Sequence, residues 1–256
     1  MSSAAAIRLQ VESSLAKRVP AALTLKIKQA PELFSTGIDD VDAILGGGIP
    51  RGSISEVAGA ASTGKTSFAL STIAAITQSG AACAWVDVSD ALSPESAAAA
   101  NIVLKRLLWL RMSAERKQRM TDKPWSRLEQ ALKATDLLLQ AGGFAAIVLD
   151  MSDVLPQHAT RIPLSTWYRY RLSAEQARTA VLLLTQTPCA NSCAALSLRS
   201  EPAHVRPFRT DGETALYEGQ RYTLIRERNR NEGSVFHKRP PMRAEWLVEP
   251  LWSRVR

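Results

Sequence analysis

The 256-residue sequence contains no apolar run of about 18 residues or more, so it offers no membrane-crossing helix. Its first eight residues lack the charged-then-apolar order of a secretion signal. Cysteine is scarce. Cys83, Cys189 and Cys193 cannot all pair, and a reducing compartment, the cytoplasm, is the simpler reading. Cys189 and Cys193 have no second Cys or His pair at zinc-site spacing, with His204 the nearest histidine, and read as buried thiols rather than ligands. There is no internal repeat, and no low-complexity tract beyond the short alanine run at 97–100. What is present is ordinary for a globular chain, 46% hydrophobic and 22% charged. The length suits one large α/β domain with a small appendage.

Charge is less even. Thirty-two Lys and Arg against 24 Asp and Glu give a net charge of +8 and a pI near 9.7. That excess suits acidic partners such as nucleic acid, or equally a well-solvated surface. It is clustered: nine basic residues face three acidic ones between Lys105 and Lys133, and twelve face eight over residues 199–256.

Residues 1–33 read as an N-terminal helical arm: a helix over 7–18, Pro20, then a short amphipathic stretch through Ile27. It carries too little apolar surface for a core of its own and is expected to pack on the main domain or a neighbouring subunit. Residues 34–256 read as the core. The clustered Gly and Pro of 46–52 predict a turn. Strands are expected at 53–58, 81–88, 144–149 and 180–185. Helices are expected from the end of the loop 59–63 to about 78, and at 94–110, 125–140 and 169–179. Strand-like pieces follow at 194–198, 222–226 and 244–248. The alternation predicts an α/β fold, with a mostly parallel central sheet covered by helices and antiparallel C-terminal strands.

One motif carries chemistry. Gly59-Ala60-Ala61-Ser62-Thr63-Gly64-Lys65-Thr66 matches G-x-x-x-x-G-K-[ST], between a predicted strand and a predicted helix that continues through Ser67. Small residues let backbone N–H groups turn inward around phosphate oxygens, and the helix start adds its positive end. Lys65 is expected to reach the terminal phosphates of ATP or ADP, and the Thr66 hydroxyl to ligate Mg²⁺. Such a loop needs a carboxylate at the end of a neighbouring strand. Asp150, which closes the apolar run 145–149, supplies it, with Asp87 as the alternative.

From residue 35 to about 250 the order of these pieces resembles the RecA family. Ser35-Thr36-Gly37, Leu45-Gly46-Gly47-Gly48-Ile49-Pro50-Arg51-Gly52 and Glu56 are similar to the family's lead into the phosphate loop. Residues 83–94, CAWVDVSDALSP, are similar to the family's CAFIDAEHALDP. Leu182-Leu183-Leu184-Thr185-Gln186 resembles the strand ending in the glutamine that senses the γ-phosphate. Arg228-Asn229-Arg230 stands where the family has a Lys-Asn-Lys element that reaches nucleotide across a subunit interface, which implies self-association. The departures matter as much. The family's catalytic glutamate falls on Ser89, and a hydroxyl cannot orient and deprotonate water as a carboxylate does. Asp90 is adjacent, but one step along a strand faces the other way. Asp90 and Gln186 are therefore the remaining catalytic candidates. The adenine-stacking aromatic falls on Ser96, the DNA-binding loops at 157–163 and 187–192 are short, and no C-terminal domain is expected after Val248.

A RecA core with these losses resembles the ImuA group of accessory proteins of bacterial translesion synthesis, itself similar to SulA, through residues 162–171, 183–189 and 229–241. That implies RecA and translesion polymerase components as partners in the SOS response. Many of that group have degenerate phosphate loops, whereas this loop is intact. Trp167, Tyr168 and Tyr170, interleaved with Arg169 and Arg171 and following Arg161, offer contacts to single-stranded DNA or a partner. The same pattern also fits a helix packing its aromatics on the core, and that reading is preferred. The cluster at 226–230 could meet DNA, a neighbour's nucleotide, or only solvent. The leading expectation is an accessory protein that binds ATP with weak or no hydrolysis. The rivals are an active DNA-dependent ATPase acting as a compact recombinase or mediator, and a RecA-fold regulator of cell division.

Overall fold

A computed structural model describes residues 6–7, 32–112, 124–207, 217–229 and 242–248. The chain divides into two compact units, Met1–Ala30 and Pro31–Arg256. Of the first, only Ala6 and Ile7 are described, both helical, so the expected arm otherwise lies outside the described residues.

In the second unit β1 (Leu33–Phe34) leads into α1 (Asp39–Leu45), whose first turn places Asp39, Asp40 and Asp42 at the helix's positive end. β2 (Ile49–Pro50) returns antiparallel to β1. Then come β3 (Ile54–Ala58), the phosphate loop, α2 (Lys65–Gln78), β4 (Cys83–Asp87), α3 (Pro94–Ala99) and β5 (Leu107–Arg111). α4 (Pro124–Ala141), β6 (Ala146–Asp150), the short α5 (Pro156–Ala159), α6 (Leu164–Ala177) and β7 (Ala180–Thr185) follow. β8 (Ala194–Pro207), β9 (Tyr217–Asn229) and β10 (Met242–Val248) complete one eight-stranded sheet, in the order β10-β9-β8-β3-β7-β6-β4-β5.

Every residue of β3, β4, β6 and β7 is buried, as parallel strands covered on both faces require. Alternate residues feed two cores. Val57, Trp85, Val148 and Leu182 pack with Phe68 and Ile73 of α2 on one side. Ile54, Val86, Ile147 and Leu183 pack with Leu128 and Leu139 of α4 and with Trp167 and Tyr170 of α6 on the other.

The expected α/β architecture is the observed one, with two local corrections. The helix expected over 94–110 ends at Ala99. Asn101 takes a left-handed φ of 66°, and residues 107–111 instead form the edge strand, pairing parallel with Cys83–Asp87. A short apolar run fits helix or strand equally, and the open edge of β4 decides it. The helix expected from 169 begins at Leu164, after Pro163. The first of the late strands, β8, runs parallel to β3 and antiparallel to β9, so the expected antiparallel extension begins at the β8–β9 pair and continues through β10.

β7 and β8 both flank β3 in parallel, so residues 186–193 must return from one end of the sheet to the other. They do so along the α6 side, with Cys189, Ala190 and Cys193 in that core while Pro188, Asn191 and Ser192 stay exposed. The Glu56 carboxylate, itself buried, accepts the backbone N–H groups of Cys189 (2.7 Å) and Ala190 (3.1 Å).

Candidate phosphate site

The loop between β3 and α2 lies where the parallel strands end. Gly64 immediately precedes α2 with φ 87°, a conformation open to glycine, and the helix begins on Lys65. A cleft of about 240 Å³ opens there, with Lys65, Thr66, Asp87, Ser89, Asp150 and Asp153 on its walls, together with Ala61 and Ser62 of the loop. The structure thus brings together loop residues and strand-end carboxylates that lie far apart in sequence. Lys65 Nζ donates to the carbonyls of Gly59 (2.5 Å) and Ala60 (2.6 Å). Burial pulls its ammonium below the usual lysine range, opposed by the charges of Asp150 and Asp153.

The two candidate metal carboxylates face each other in register across β4 and β6. Asp87 is committed. Its Oδ1 accepts Ala91 N–H (3.1 Å) and its Oδ2 accepts Leu92 N–H (2.9 Å) and Trp109 Nε1–H (3.2 Å), which shapes the loop after β4. Asp150 Oδ1 accepts Ser152 N–H (3.0 Å), and burial raises its carboxyl above the ordinary range. Thr66 and Asp150 line the same cleft and offer hard oxygen donors of the kind Mg²⁺ takes.

Ser89 lines the cleft at the position where the resemblance puts a carboxylate. Asp90 does not share that strand, because β4 stops at Asp87. Asp90 instead sits at a left-handed φ of 58°, and both its oxygens take the Arg111 guanidinium, at 2.6 and 2.7 Å. The strand-alternation argument for Asp90 is therefore replaced by a turn, and its carboxylate is engaged with the edge strand. The pair, with the hydrogen bond foremost, holds the Asp90 carboxyl below its usual range. Gln186 lies at the end of β7, and its side-chain amide donates to the Ser152 carbonyl at 3.1 Å, beside the cleft wall.

A longer groove of about 800 Å³ runs along α2 from Thr66 and Ser67, past Leu92, Ser93 and Ser96, and is bounded by Trp246 of β10. Ser96, the position of the expected missing aromatic, lines it with a small hydroxyl.

The outlying candidates separate. Trp167 and Tyr170 are fully buried, and the Tyr170 hydroxyl donates to the Leu132 carbonyl, so both are core residues. Arg169 pairs with Asp136 at 2.9 Å, Arg171 stacks on the exposed Tyr168, and Arg161 is exposed beyond α5. None of the three lines the phosphate cleft. Arg226 is buried with its guanidinium on Met242 Sδ, and Arg228 donates to the carbonyls of Asn191 and Ala194 within its own chain. Arg230 lies outside the described residues. Cys83, Cys189 and Cys193 are buried free thiols, and burial pushes Cys83 up to about 12. Ser200 and Tyr222, which pack against the loop from β8 and β9, carry no motif that a linear reading could detect.

A family model described as the RecA N-terminal domain matches residues 4–162. RecA of Acinetobacter baumannii is 34% identical over 142 residues, which cover 55% of this chain and 37% of that protein. RecA of Rhizobium leguminosarum bv. trifolii is 33% identical over 170 residues, covering 60% and 43% respectively. The chain thus spans less than half the length of these relatives. The crystal structure of the RadB recombinase matches with a TM-score of 0.57 at 18% identity, over 84% of this chain and 96% of that one. At that identity the likeness is one of fold.

Proposed function

This chain belongs to the RecA N-terminal domain family, and from that premise we propose that it is a nucleotide-binding accessory protein of DNA repair, binding ATP or ADP with Mg²⁺ and turning ATP over weakly or not at all. The carrying observation is Ser89 on the wall of the phosphate cleft, where a water-activating carboxylate is needed. Asp90, bound by Arg111, does not replace it. Lys65 and the loop amides would take the phosphates, and Thr66 and Asp150, which line the same cleft, would hold the metal, which when bound would neutralise charge at the phosphates. A second observation supports an accessory role over that of a recombinase. Residues 186–193 are taken up in returning the chain to the sheet and are tied down by Glu56 and Arg228, leaving only a few exposed residues there rather than a long loop to project toward DNA.

The finer reading is an ImuA-like partner of RecA and translesion polymerase components in the SOS response, with nucleotide as a conformational switch. The charge of +8, the exposed Arg161 and the half-buried Arg171 stacked on Tyr168 support direct contact with single-stranded DNA or an acidic partner surface. Co-precipitation of RecA and a translesion polymerase from DNA-damaged cells tests it. The expected result is recovery by the wild type and loss with Lys65→Ala. Recovery of cell-division proteins alone would contradict it.

The second reading, an active DNA-dependent ATPase, is favoured by the complete phosphate loop and by Gln186 beside the cleft. ATP turnover measured with and without single-stranded DNA separates the two.

A further inference from the structure

We propose that Ser200 of β8 and Tyr222 of β9 are positioning residues that hold the phosphate loop in its anion-receiving shape before any nucleotide arrives, making the C-terminal strands part of the nucleotide site. The inference rests on the reading of that loop as the phosphate site. Both glycines of the motif are walled by these strands. A Cβ on Gly64 would lie 2.4 Å from Cγ of the Tyr222 ring and within 2.8 Å of both Cδ atoms, so the ring face covers the last loop residue before α2. A Cβ on Gly59 would lie 2.5 Å from the Ser200 carbonyl oxygen.

The hydroxyl of Ser200 adds direction. It donates to the Thr63 carbonyl at 2.5 Å. In a trans peptide the carbonyl and the following N–H point opposite ways. Fixing the Thr63 oxygen toward β8 therefore turns the Gly64 N–H away from β8, toward the interior of the loop. A flipped peptide would present an oxygen to the phosphates instead. Tyr222 is itself fixed. Its hydroxyl donates to Gln220 Oε1 at 3.0 Å, and its ring packs on Trp246 at 5.4 Å, which reaches Phe68 in the first turn of α2 at 6.5 Å. The aromatic run Tyr222–Trp246–Phe68 thus joins β9, β10 and the helix that follows the loop. A site held in its bound shape does not spend affinity on ordering. Because coupling is reciprocal, nucleotide must also steady the strands that hold the loop.

The test is amide hydrogen exchange on the full nucleotide-free chain, comparing wild type with Ser200→Ala, Tyr222→Leu and Tyr222→Phe, followed by titration with a fluorescent ATP analogue. Ser200→Ala and Tyr222→Leu are expected to speed exchange at Phe68, whose N–H donates to the Gly64 carbonyl at 2.9 Å, about tenfold while β4 and β6 keep wild-type protection, and to weaken analogue binding by about three- to tenfold. Tyr222→Phe, which keeps the ring but not the bond to Gln220, is expected to stay closer to wild type than Tyr222→Leu in both measurements. Wild-type exchange at Phe68 in both loosening variants would overturn the proposal. If Tyr222→Leu loses protection throughout the sheet, the Ser200→Ala result decides. A wild type that binds no analogue would overturn the nucleotide reading, and the exchange comparison would still decide whether the strands hold the loop.

Discussion

Ser89, Asp150 and Lys65 each do one thing that a neighbour in sequence does not. Lys65 is the cation of the loop, and Lys65→Ala is expected to weaken ATP binding by about 100-fold or more in an equilibrium titration, in line with removing a charged hydrogen-bonding group from a partly enclosed site. Asp150 is set apart from Asp87 by its freer oxygens, and burial raises its carboxyl. The sign follows. A proton persists on Asp150 at pH values above the ordinary carboxylate range, and a cation must displace it. Mg²⁺-dependent affinity is therefore expected to rise with pH through that raised value and to be lost as pH falls through it. Asp150→Asn is expected to remove both the affinity and the slope, read from Mg²⁺ titrations at several pH values. Ser89→Glu returns a carboxylate to the cleft wall, and turnover is expected to rise about tenfold or more. The strand–loop–helix junction at residues 59–66 was legible because its residues are contiguous and their spacing is local. Ser200 was not, because its partner Thr63 lies 137 residues away and a serine in a strand gives no local signal.

Among the elements, α6 and the segment 186–193 show why residue type alone misleads. The aromatic and basic residues of 167–171 match a nucleic-acid surface in composition, yet a helix turns consecutive residues by about 100°, which sends Trp167 and Tyr170 inward and leaves Tyr168 exposed. Trp167→Ala is expected to cost about 3–5 kcal/mol in urea unfolding, and Tyr168→Ala to stay within about 0.5 kcal/mol. The preference for core packing was legible from helical periodicity. The edge strand Leu107–Arg111 was not, because its five residues take their conformation from pairing with β4. Glu56 was named within the resemblance, but its partners were not legible. Its buried carboxylate satisfies two N–H groups of a segment 133 and 134 residues further on. Glu56→Ala leaves both donors buried without an acceptor and is expected to destabilise by about 3 kcal/mol.

At the scale of the whole molecule, alternating strands and helices sufficed to predict a covered parallel sheet, because burial on both faces leaves continuous apolar runs in the sequence. Which strand lies beside which was beyond that reading: β8 joins β3 in parallel through a pinned return segment, a long-range choice with no local signature. That return segment favours the proposed accessory role over a motor. Ser200 and Tyr222 of the C-terminal strands lie against the loop between β3 and α2, and Ser89 lines the cleft beside it, where the proposed function needs no water-activating carboxylate. The measurement that tests this most directly is steady-state ATP turnover by the wild-type chain with and without single-stranded DNA, alongside a binding titration. Nucleotide binding that depends on Lys65 is expected, with turnover near background and unchanged by DNA. Robust hydrolysis stimulated several-fold by single-stranded DNA would contradict it.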